Sequence, residues 1–185
     1  MKVTFKVALI CAAVWIGFKL LGYQLGWNTP DYTSLFVLTN VFGLLAAVSI
    51  GLYLQKRKGM EDDSMLTDIK NGMTSGVIYA LLVCGFLYFY YENIDPEYNQ
   101  KMIAEREMYF KTIVDDPAKL KELKASNKDL EVMTKDEILE EFRKTPQMLF
   151  SGTFMMTFGM LSMLMLSTLY SILVTIIYRK VLFRK

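Results

Sequence analysis

Four long apolar runs constrain this 185-residue chain more than any other feature. A membrane span needs ~20 mostly apolar residues to cross a hydrocarbon core of ~30 Å. The runs extend from about Val7 to Trp27, Tyr32 to Leu54, Met73 to Tyr91 and Met148 to Tyr178. The first carries one charge, Lys19; the other three carry none. Hydrophobic residues make up 53% of the chain and charged residues 22%, which excludes a disordered polyelectrolyte. The charges lie between the runs rather than at amphipathic spacing, which argues against an ordinary soluble domain. The expected fold is all-α: a four-helix transmembrane bundle, with an extracytoplasmic helical insertion between the third and fourth spans. All 185 residues are read as one membrane domain, with 92–147 as a helical cap within it. The first run is too long for a signal peptide, and no small-x-small cleavage site precedes its polar break.

Lys and Arg near span ends set orientation. Lys2, Lys6, Lys56, Arg57, Lys58, Lys70, Arg179, Lys180, Arg184 and Lys185 fall on one side, with Glu61, Asp62, Asp63 and Asp68, for a net charge of +6. The long segment 92–147 lies on the other side and carries −4. The basic side is therefore expected to be cytoplasmic, with both termini inside. Glu61-Asp62-Asp63 read as part of a solvated polyampholyte loop. Trp27, Tyr32 and the run Phe86 to Tyr91 fit an aromatic belt at the opposite interface, with plain lipid-facing packing an equal reading for Phe86 and Phe89.

Segment 92–147 has helical punctuation. Asp95-Pro96, Asp116-Pro117 and Thr145-Pro146 each set a side-chain acceptor before a proline, as at a helix N-cap. Thr134 and Glu137 form a possible capping box. Helices are expected over Pro96–Val114, Pro117–Ala125 and Lys135–Lys144. The first bears an apolar stripe that includes Met102, Ile103, Phe110 and Ile113. It packs within the cap, on the bundle or on a partner. The fourth run would span ~46 Å as one helix, so its first turns are expected to rise out of the membrane from Pro146.

Helices in lipid associate through close backbone approach and polar contacts. The third span offers Gly72, Gly76, Ala80 and Cys84 at four-residue spacing, and the second offers Gly43, Ala47 and Gly51. Gly22 and Gly26, and Gly159, Ser162, Ser167, Ser171 and Thr175, supply the first and fourth spans. These faces serve internal packing or a partner interface. Cys11 and Cys84 sit at different depths and are not expected to pair. Lys19 is an intramembrane charge, a functional candidate by default. It could snorkel toward the outer interface, or face Gln24, the outer Asp31 and Glu92, or Asn40, the one strongly polar side chain deep in the second span.

With no His, imidazole bases, imidazole metal sites and Ser-His-Asp triads are excluded. No phosphate-cradling glycine loop occurs, and no Asp or Glu lies within the runs as delimited above. The abundant Met residues read as apolar filling, so no metal and no cofactor is expected. Nothing points to nucleic acid.

Two stretches carry a family resemblance. One is LTDIKNGMTSGVIYALLVCGFLYFYYENIDPEYNQK, Leu66 to Lys101; the other is the charged helical segment, the small-residue-rich last span and the basic tail. Together they resemble the domain of unknown function 4199 family, small four-span membrane proteins from Bacteroidota. The resemblance implies a bacterial inner-membrane protein and no assigned activity. The expected function is non-enzymatic: contact with lipid and with another membrane protein or itself, as an accessory subunit or a self-associating bundle. The alternative is a small oligomeric transporter or channel with Lys19 and Asn40 near its pathway. A sensor with a ligand-detecting cap is a third reading.

Overall fold

The computed structural model describes residues 2–57 and 64–182, and every element among them is helical. The acidic run Glu61-Asp62-Asp63, Lys58, and the terminal Arg184 and Lys185 lie outside the described residues. The helices are α1 (Lys2–Gln24), α2 (Pro30–Arg57), α3 (Met65–Phe89), α4 (Pro96–Asp115), α5 (Pro117–Ser126), α6 (Lys128–Glu131), α7 (Lys135–Leu149) and α8 (Gly152–Ile177). Single π-helical segments extend α3 over Tyr90–Ile94 and α8 over Tyr178–Leu182. Four stretches are long and apolar enough to cross a membrane: Val3–Gln24, Pro30–Arg57, Met65–Ile94 and Gly152–Leu182. The chain divides into two compact units, one of Met1–Phe89 with Met156–Lys185, the other of Tyr90–Met155.

In the first unit each long helix buries a narrow stripe and exposes the rest. Ala8, Ala12 and Trp15 of α1 meet Leu44, Ala47, Val48 and Leu52 of α2, Tyr79 and Val83 of α3, and Val174 of α8. The remaining faces are apolar as well. On α8, Phe158, Leu161, Met165, Leu169 and Leu173 are each more than half exposed and share one face. A soluble monomer rarely exposes so large a contiguous apolar patch. Helices apolar all round suit lipid as solvent. The inward face of α8 is the reverse: Ser167, Ser171 and Thr175 are buried.

The second unit has its own small core of Val114, Leu130 and Ile138, with Leu120, Leu123, Met133, Leu139 and Phe142 packed on it. Two of its sequence signals act as expected. Asp116 accepts from the Ala118 and Lys119 amides at 3.0 and 3.4 Å, and those donors hold its carboxyl below the usual range. Thr134 and Glu137 form the reciprocal capping box.

Several expectations need correction. Pro146 does not start the fourth span; it lies inside α7, which runs on to Leu149. Proline costs a helix one backbone donor, and this late in α7 the loss is local. The break falls at Phe150 and Ser151. The Phe150 amide returns to the Pro146 carbonyl at 2.9 Å, and Ser151 Oγ accepts from the Phe154 amide at 3.3 Å. The fourth membrane-competent helix therefore starts at Gly152, not at Pro146. Asp95 makes no side-chain cap for α4; its carboxylate accepts from the buried Tyr90 hydroxyl at 3.2 Å. Finally, α3 starts at Met65, not at Met73, so Asp68 lies within a membrane-competent helix.

Candidate functional site

The residue sequence reasoning missed is Asp68. Its side chain is fully buried at the end of the first unit where α2 and α8 finish in basic residues. Lys56 Nζ of α2 lies 2.8 Å from Asp68 Oδ2, and Arg179 Nε, just beyond α8, donates to the same oxygen at 2.6 Å. One carboxylate thus ties three helices together. A buried carboxylate must be paired and hydrogen-bonded, because isolated ionised groups in low dielectric are very costly. The site is sheltered as well as paired: the Lys56 and Arg179 side chains are 12% and 28% exposed.

Asp68 is also the next step of the α3 stripe. Asp68, Gly72, Gly76, Ala80 and Cys84 recur every fourth residue, as do Gly159, Met163, Ser167, Ser171 and Thr175 on α8 and Arg179 just beyond it. The two series meet antiparallel. A Cβ on Gly72 would lie 3.1 Å from Ser171 Cβ, and one on Gly76 would collide with Ser167. Cys84 Sγ sits 3.7 Å from Met163 Sδ and 3.9 Å from where a Gly159 Cβ would be. Ala80 is fully buried on the same stripe. The stripe of α2 turns to α1 and α3. A Cβ on Gly43 would strike the Tyr79 hydroxyl, and one on Gly51 would lie 2.7 Å from Ser75 Oγ. Ser75 Oγ donates to the Ala47 carbonyl at 2.7 Å. These small residues therefore serve contacts within the unit. Interhelical hydrogen bonds of this kind average ~0.6 kcal/mol in membrane proteins, so close packing carries most of the association.

The two intramembrane polar candidates have separate settings. Lys19 is 4% exposed, and its ammonium lies 4.0 Å from the centroid of the Phe36 ring. That ring is fixed by Phe18 at 5.5 Å, and the missing side chain of Gly22 leaves room for it. The Trp15 indole donates to the Phe36 carbonyl at 3.3 Å. A desolvated cation on an aromatic face is worth up to ~2 kcal/mol. Asn40 accepts from the Tyr79 hydroxyl at 2.9 Å, and its amide nitrogen lies 3.8 Å from Met163 Sδ. Both cysteines are free thiols. Among the described residues no cluster of His, Cys, Asp or Glu could hold a metal ion.

In the second unit, Phe110 stacks on Phe142 of α7 at 4.5 Å. Met102, Ile103 and Ile113, on the same helix as Phe110, are half-buried. Glu107 and Arg143 pair across α4 and α7 at 3.4 Å. Met108 and Tyr109 flank this contact and are 66% and 56% exposed. At the start of the unit Tyr91 lies against Tyr98 at 5.3 Å. In the first unit Trp27 stacks on Tyr32 at 5.6 Å. Phe86 meets Trp15 edge-on at 6.5 Å.

Four helices long and apolar enough to cross a membrane define a multi-pass membrane protein. The family model described as "Protein of unknown function (DUF4199)" matches residues 6–180, and the chain belongs to that family. No curated protein and no solved structure matches the chain.

Proposed function

We propose that the chain is a non-enzymatic integral protein of the bacterial inner membrane that works by protein–protein contact. Its role would be that of an accessory subunit of a larger membrane complex, or of a self-associating bundle. Both termini would be cytoplasmic and residues 92–147 periplasmic, an orientation supported by the excess of Lys and Arg on one side of the spans.

The observation that carries the reading is the exposure of Met108 and Tyr109 on α4. The small-residue faces of α2, α3 and α8 are occupied within the bundle, so they supply no ready surface for a second chain. Met108 lines a shallow groove with Phe110, Leu139 and Arg143, and Tyr109 lines a second one with Ile113 and Leu123. Large exposed Met and Tyr side chains beside grooves of mixed charged and apolar lining suit a contact surface, since Tyr and Met are enriched in such interfaces.

A photoreactive residue at Tyr109, introduced in the native host, tests this. The expected result is one discrete cross-linked protein band, absent when the same group replaces the exposed Lys121 of α5. Equal and diffuse cross-linking from both positions would overturn it.

A further inference from the structure

We propose that the outward face of α3 seats one anionic phospholipid, with the phosphate on Lys70 and an acyl chain along Met73, Val77 and Ile78. An open, predominantly apolar groove follows this face and is lined by these residues together with Ile69 and Thr74. Its length suits the occupant. From Lys70 to Ile78 is eight residues, a rise of ~12 Å, which carries the groove from the headgroup level into the acyl region.

The depth of Lys70 is set by its neighbours. It stands half a turn past Asp68, whose ion pairs with Lys56 and Arg179 mark the level where α2 and α8 end in charge. Clusters of Lys and Arg at this level attract anionic headgroups. The local charge is complementary to a phosphate. Asp68 is taken by Lys56 and Arg179, and Lys70 is exposed with no ion pair among the described residues. The wall of the groove is apolar apart from Lys70 and Thr74. The Thr74 hydroxyl donates back to the Lys70 carbonyl at 2.8 Å, so it presents no idle donor to a hydrocarbon chain.

Native mass spectrometry of the full chain in detergent, titrated with phosphatidylglycerol or phosphatidylcholine of identical chains, tests the seat. The expected result is about fivefold preference for the anionic lipid, the value of one Lys beside net negative headgroup charge, since phosphatidylcholine offsets the same phosphate with its choline cation. Lys70→Gln abolishes that preference. Lys180→Gln, which removes the same charge from another exposed position, preserves it. Val77→Trp fills the groove and lowers binding of both lipids. Inorganic phosphate leaves the bound lipid in place. Equal loss in Lys70→Gln and Lys180→Gln would overturn the proposal. So would the absence of a preference, or displacement of the lipid by phosphate.

Discussion

At the residue scale the bundle turns on a few positions where a side chain is either missing or charged. Gly76 is the sharpest steric case, because a Cβ there collides with Ser167, whose own Cβ would lie 2.7 Å away. Gly85 on the same helix has nothing within 4 Å. Gly76→Val is therefore expected to cost about 1–3 kcal/mol through overpacking, while Gly85→Val leaves stability nearly unchanged; thermal unfolding in detergent separates them. Asp68→Asn leaves Lys56 and Arg179 facing each other without their carboxylate. Removing one partner of a buried ion pair costs about 3–5 kcal/mol, scaled down here because Arg179 is 28% exposed. Adding Lys56→Met should recover part of the loss, and no recovery in the same unfolding assay would count against an electrostatic clamp. The stripe that ends at Asp68 was legible as small residues, but its charged member was not. A window that scores hydropathy stops at the first charge, whereas the helix continues because the charge is neutralised by partners distant in sequence. Extending the four-residue series one step at each end finds both Asp68 and Arg179.

At the element scale, local chemistry wrote most of the boundaries. Asp116 and Thr134 cap α5 and α7 as their spacing implied. Asp95 and Thr145 precede proline just as Asp116 does, yet neither caps. Asp95 is drawn to the Tyr90 hydroxyl, and Thr145 Oγ1 donates to the Glu141 carbonyl 3.4 Å away, inside a helix already running. A helix stabilised upstream by Ile138 and Phe142 in the core outweighs one proline-directed stop. The capping box is testable. Thr134→Ala should lower amide-exchange protection over residues 135–139 about fivefold, the ordinary value of a lost N-cap. Acid should act in the same direction. Hydrogen bonds from the Thr134 amide and hydroxyl hold the Glu137 carboxyl below its ordinary value of 4.5. A depressed folded-state pKa gives stability that is present above pH 4.5 and lost as pH falls through the lowered value. Protection of the first turn of α7 should therefore decline on acidification below pH 4.5 in the wild type and change less in Thr134→Ala.

At the scale of the whole molecule, the four spans and the separate charged insertion were legible because lipid demands long uninterrupted apolar helices. The start of the fourth span was not, since Met148, Leu149 and Phe150 extend its apolar run while belonging to the end of α7 and its cap. The proposed orientation predicts that Ser126→Cys, in a background lacking Cys11 and Cys84, reacts with an impermeant maleimide on intact spheroplasts. A cysteine at Lys180 should react only after lysis; the reverse pattern would invert the topology. The central claim is that this protein acts by contact with another chain. Extraction from native membranes at native abundance into polymer-bounded lipid particles, followed by mass measurement, tests it most directly. The predicted result is a species heavier than the 21.3 kDa chain, containing a defined second polypeptide or further copies. A single monodisperse 21.3 kDa monomer would contradict it.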